Sequence, residues 1–180
     1  MVLSPNVKLD THQKQIAWLV FSALSQAKAR EALTRGNVFS MLLRSYDEHT
    51  SAGEPLYHRG RGIYHYWFSE AAYKKHLANV PIKELHGEHM IPLKCVKERL
   101  LKEGRTYEAV LEILRQNKVV IITDDEANYL NGSPKRKSVE PLKHLNCLGL
   151  GSSMPDEKDP KSRLKAAGIR IAKATINNKL

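Results

Sequence analysis

Apolar residues recur at helical spacing over residues 11–34, through Ile16, Leu19, Val20, Leu24, Ala27 and Ala32. That period predicts an amphipathic helix. Asp10 and Thr11 stand where an N-cap belongs, and Gly36 ends the pattern. Asn37 then caps a shorter helix with apolar positions at Val38, Met41, Leu42 and Tyr46. Together they predict a helical hairpin laid over a core. The stretch SAGEP, Ser51 to Pro55, breaks the periodicity. It divides an N-terminal helical region, residues 1–52, from a second region, residues 53–180.

Past that break the pattern alternates between strand and helix. GRGIYHYWFS is rich in β-formers and predicts a strand; SEAAYKKHLAN predicts a helix capped by Ser69. LHGEHMIP is a short extended piece that Pro92 ends, because proline cannot donate to a sheet ladder. Helical period returns over residues 93–116, split at Gly104, with Val96, Leu100, Leu101, Val110, Leu111 and Leu114 as its apolar positions. KVVIIT predicts a buried strand. Thr123 and Glu126 then make a capping box that starts a helix at TDDEANYL. NGSPKRKSVEP, Asn131 to Pro141, predicts a loop, and a basic helix weakened at Gly168 is expected from Asp159 onward. The fold class is α+β.

Length and composition suit an ordinary globular chain: 180 residues, 42% hydrophobic and 27% charged. The two cysteines, Cys95 and Cys147, lie far apart and form no disulfide framework. No secretory signal is visible, and the apolar run IAWLVFSAL falls short of the roughly 20 residues that span a bilayer. These features predict a cytoplasmic protein with no membrane partner. Lys and Arg number 29 against 19 Asp and Glu, a net charge of +10. Residues 1–56 carry six bases and five acids, whereas residues 57–180 carry 23 and 14, so the positive field belongs to the second region. A basic excess of this kind points to a polyanion, with nucleic acid foremost.

Two segments in that basic region give the expectation a chemistry. Glu88-His89-Met90-Ile91-Pro92 is an acid-His-apolar-apolar-Pro run at the end of a predicted strand. Ile121-Ile122-Thr123 runs into a capped helix whose second turn holds Asn128. In this order they resemble the His-Me finger superfamily, the HNH-type or ββα-metal endonucleases, over roughly residues 84–132. The resemblance implies an N-terminal helical hairpin followed by a ββα-metal-like core, with a helical insertion between its two strands. It implies metal-dependent hydrolysis of DNA phosphodiester bonds, with RNA not excluded. His89 would be the general base, and Glu88 and Asn128 the ligands of one Mg²⁺ or a similar divalent metal such as Mn²⁺. Three positions depart from the family pattern. Glu88 stands where Asp is usual, residues 93–118 lengthen a hairpin that is normally short, and Asn117 is the candidate for the middle asparagine.

The residue types suit that chemistry. A neutral imidazole near pH 7 can take a proton from water, and hard oxygen ligands suit Mg²⁺. The same residues admit plainer readings. Glu88 and His89 could be a strand-end ion pair, and Asn128 a solvated helix residue. His86, His89, His144 and Cys147 could instead hold a structural Zn²⁺, which would consume His89. Lys135, Arg136 and Lys137 are the leading phosphate contacts, with Arg59 and Arg61 as a second grip. Among the aromatics Tyr64, Tyr66, Trp67 and Phe68, core packing competes with base stacking. The alternatives to an endonuclease are a degenerate nuclease that binds nucleic acid without cutting and a zinc-stabilised interaction module.

Overall fold

The computed structural model describes residues 9–35, 37–49, 52–53, 57–58, 62–63, 67–79, 84–131, 150 and 153–172. Its contacts divide the chain into two compact units, Met1–Leu56 with Val96–Gln116, and Tyr57–Cys95 with Asn117–Leu180. Residues Val96–Gln116, inside the region expected to run from 53 to 180, therefore pack with the N-terminal helices.

The first unit is helical. Helix α1 spans His12–Leu24, α2 Ala27–Thr34 and α3 Val38–Asp47. The single helix expected over residues 11–34 is broken, because α1 ends at Ser25 and α2 starts after Gln26 in extended backbone. The Thr11 hydroxyl caps α1 by accepting from Lys14 N at 3.3 Å. In α3 the buried positions are Phe39, Leu43 and Tyr46, while Val38 and Met41 are 53% and 67% exposed. This corrects the face expected from Val38 and Met41. Nearly every early position of VFSMLLRSYD is apolar, and the i, i+4, i+7 stripe of the larger side chains is the one that packs. Two further helices join this unit, α5 (Leu93–Glu103) through its residues from Val96, and α6 (Tyr107–Gln116). The Tyr107 ring lies 5.9 Å from Trp18 and 6.5 Å from Phe21, centroid to centroid. At Gly104, between α5 and α6, a Cβ would come within 2.5 Å of the Leu100 carbonyl oxygen, so glycine permits the close turn.

The second unit is built on a sheet. A short antiparallel pair, β1 (Tyr57–His58) and β2 (Gly62–Ile63), stands apart from four strands in the order β4-β5-β3-β6. These are β3 (Trp67–Ser69), β4 (Leu85–His89), β5 (Val119–Thr123) and β6 (Ile171–Ala172), with α4 (Glu70–Leu77) following β3. Strand β4 runs antiparallel to β5, with Glu88 opposite Val120 and His89 opposite Val119. β3 is parallel to β5 and antiparallel to β6. All five residues of β5 are buried, as expected of a strand covered on both faces.

Alternation along the strands assigns those faces. Val120 and Ile122 of β5 pack with Met90, with Ala127 and Leu130 of α7 (Asp124–Asn131), with Leu164 of α8 (Ser162–Ala166), and with Ile169. On the other face Phe68, opposite Ile121, stacks on His76 and meets Tyr73 at a tilt, both from α4. The tail is not one basic helix. Gly168, at φ +68°, ends α8; Gly168 N donates to Lys165 O, and Ile169 N reaches back to Leu164 O at 2.9 Å. This is a Schellman closure, with Leu164 and Ile169 both in the core. It turns the chain into β6. Among the described residues, no helix is long and apolar enough to cross a membrane.

Candidate functional site

The site grows from the end of β4. Residues two apart on a strand share a face, so His86 and Glu88 point together toward the side of Val120, Ile122 and α7, and Met90 follows them. His89, between Glu88 and Met90, turns to the opposite face, in line with Gly87. A Cβ on Gly87 would touch Val119 and Ile121. His89 is 8% exposed. The sheet thus separates the two neighbours expected to act on one phosphate.

Glu88 has a side-chain partner on each carboxylate oxygen. Arg163 Nη1 donates to its Oε1 at 2.6 Å, and His86 Nε2 lies 3.1 Å from its Oε2. Arg163 comes from α8 and is 1% exposed; its Nη2 donates to Asn131 Oδ1 at 2.6 Å, and Nη1 also faces the His89 carbonyl oxygen at 3.4 Å. A guanidinium so deeply buried survives only when paired and hydrogen-bonded. Burial alone would raise the Glu88 pKa. Hydrogen bonds from His86 and Arg163, with the Arg163 charge, outweigh it and hold the carboxyl down at about 2. Glu88 is therefore a carboxylate at any ordinary pH.

Helix α7 is positioned by its capping box, as its sequence predicts. Glu126 N donates to Thr123 Oγ1 at 3.1 Å, and Thr123 N donates to Glu126 Oε2 at 2.8 Å. The same Oε2 accepts from Ser69 Oγ at 2.6 Å, and Ser69 also caps α4 by accepting from Ala72 N. Asn128 is half-buried on α7. Its neighbour one turn on, Asn131, is the residue that reaches Arg163. Asn117, 1% exposed, accepts from Ile91 N through Oδ1 at 3.1 Å, fixing the bend where β4 ends against the start of β5.

Set against the expected metal centre, the donors do not fit. Each Glu88 oxygen already faces a donor, and the fixed charge of Arg163 lies 2.6 Å from one of them, where a divalent cation would be repelled. Among the described residues no group of three or more His, Cys, Asp or Glu side chains could hold a metal ion. The zinc alternative meets a further obstacle, since His86 and His89, three apart on a strand, project from opposite faces. Its other members, His144 and Cys147, lie outside the described residues, as do the phosphate-contact candidates Arg59, Arg61, Lys135, Arg136 and Lys137.

Sequence reasoning named Glu88 and His89 but not the pairing of His86 with Glu88, nor Asn131 or Arg163 as partners. The i, i+2 spacing of His86 and Glu88 on a strand carried the first signal, and the i, i+3 spacing of Asn128 and Asn131 on a helix part of the second. Arg163 is 75 residues from Glu88 and has no local signature. No protein-family model matches this chain, and no curated protein or solved structure matches it.

Proposed function

We propose that this chain binds nucleic acid, DNA in the first place, through its basic second region, and that it recruits or blocks without cutting. One observation carries the reading: the carboxylate that an HNH-type site would give to its metal is engaged on both oxygens by Arg163 and His86. The net charge of +10 supplies the attraction to a polyanion. A second reading, hydrolysis of DNA phosphodiester bonds with His89 taking a proton from water, is favoured by a different observation. Strand β4 pairs antiparallel with β5, β5 runs straight into the capped helix α7, and Asn117 braces the bend after the acid-His pair.

Duplex DNA retention and plasmid cleavage separate the two, the latter measured with Mg²⁺, with Mn²⁺ and with chelator. The first reading expects retention that is indifferent to metal, with the plasmid left intact. Metal-dependent nicking that disappears in a folded His89→Ala protein would replace it with the second. Absence of both retention and nicking would remove both.

A further inference from the structure

The cluster of Arg163, Glu88, His86 and Asn131 does more than close a site. It ties three elements together through one charge: β4 by the carboxylate of Glu88, α7 by the amide oxygen of Asn131, and α8 by the arginine itself. On the resemblance to an HNH-type unit, a divalent cation would make the same link, with Glu88 of the first strand and Asn128 of the helix as its ligands. Here the donors are again an oxygen of β4 and an amide oxygen of α7, and both converge on one guanidinium.

We propose that Arg163 is a built-in cation that takes over, permanently, the electrostatic and cross-linking work of a divalent metal in this unit. The inference rests on reading β4, β5 and α7 as an HNH-type unit. An arginine suits the exchange. It stays charged at any working pH, and its planar fork can serve a carboxylate and an amide oxygen at once, each from a separate nitrogen. It also accounts for a guanidinium buried to 1% exposure, an arrangement that costs much desolvation unless its partners are fixed. The protein would then need no metal for folding or for binding.

The test reads thermal midpoints with chelator, with Mg²⁺ and with Mn²⁺, for the wild type, Arg163→Met and the double variant Glu88→Gln with Arg163→Met. The wild-type midpoint should be the same under all three conditions. Arg163→Met leaves a carboxylate buried without its cation, so its midpoint should fall by on the order of 10 °C. Part of that loss should return on adding Mn²⁺, which can replace the missing charge, and part should return in the double variant, where no orphan charge remains. A wild-type midpoint raised by stoichiometric Mn²⁺ would overturn the proposal. So would an Arg163→Met protein that matches the wild type, or one that neither Mn²⁺ nor Glu88→Gln restores. Should Arg163→Met fail to fold, the wild-type metal titration and the folding of the double variant still decide. DNA retention, measured on the same samples, reports on the functional reading separately: its absence alongside the expected midpoints would sink nucleic-acid binding and leave the role of Arg163 standing.

Discussion

Glu88 shows how a single side chain takes its character from partners remote in sequence. With its folded pKa held at about 2, against 4.5 for an ordinary glutamate, it stabilises the fold above the higher value and loses that contribution as pH falls through the lower. The stability gap between wild type and Glu88→Gln should therefore be widest near neutrality and close between about pH 4.5 and pH 2. Acid titration of the two proteins by circular dichroism checks this; a gap that does not change with pH would mean that the ion pair contributes nothing as an ion pair. At the same scale the sequence was legible in part. Glu88 and His89 stood out because an acid beside a histidine before a proline is an unusual string. Their separation onto opposite faces follows from strand alternation, once the strand is granted. The identity of the counter-ion does not follow, since Arg163 reads locally as one more base in a basic tail.

At the scale of elements, the signals that proved accurate are those confined to a few residues. The Thr123/Glu126 box and the Ser69 cap are contacts across three positions, and α7 and α4 begin where those contacts put them. Thr123→Ala should therefore cost about 1 kcal/mol, the usual worth of a side-chain N-cap, while Thr123→Ser should retain most of the stability; denaturant midpoints measure both. Signals that depend on packing partners read less well. Which stripe of α3 is buried, and the grouping of Val96–Gln116 with the N-terminal helices, depend on neighbours that no local period identifies. The tail reads locally as a basic helix weakened at Gly168, yet Gly168 in the left-handed region brings Leu164 and Ile169 together to end α8 and start a strand.

For the whole molecule, the expectation that survives at coarse grain is the α+β class itself. Charge acts at this scale too. If nucleic acid is the partner, its affinity should fall with salt by a slope near −0.9 for each phosphate neutralised on duplex DNA. Replacing Lys135, Arg136 and Lys137 together by neutral residues should flatten that slope, whereas Glu88→Gln should leave it unchanged. An unaltered slope in the triple variant would take those three residues out of the interface.

The sheet is assembled from pieces that leave the ribosome far apart. Strand β3 waits for β6, which pairs with it from Ile171–Ala172, and Glu88 waits for an arginine 75 residues downstream. At ordinary translation speeds that interval lasts roughly 4–15 s. Through it the nascent chain carries an unneutralised carboxylate at the end of β4, and no β6 lies against β3. The native sheet is thus complete only after the segment carrying Arg163 and β6 has followed β3, β4 and β5 out of the ribosome.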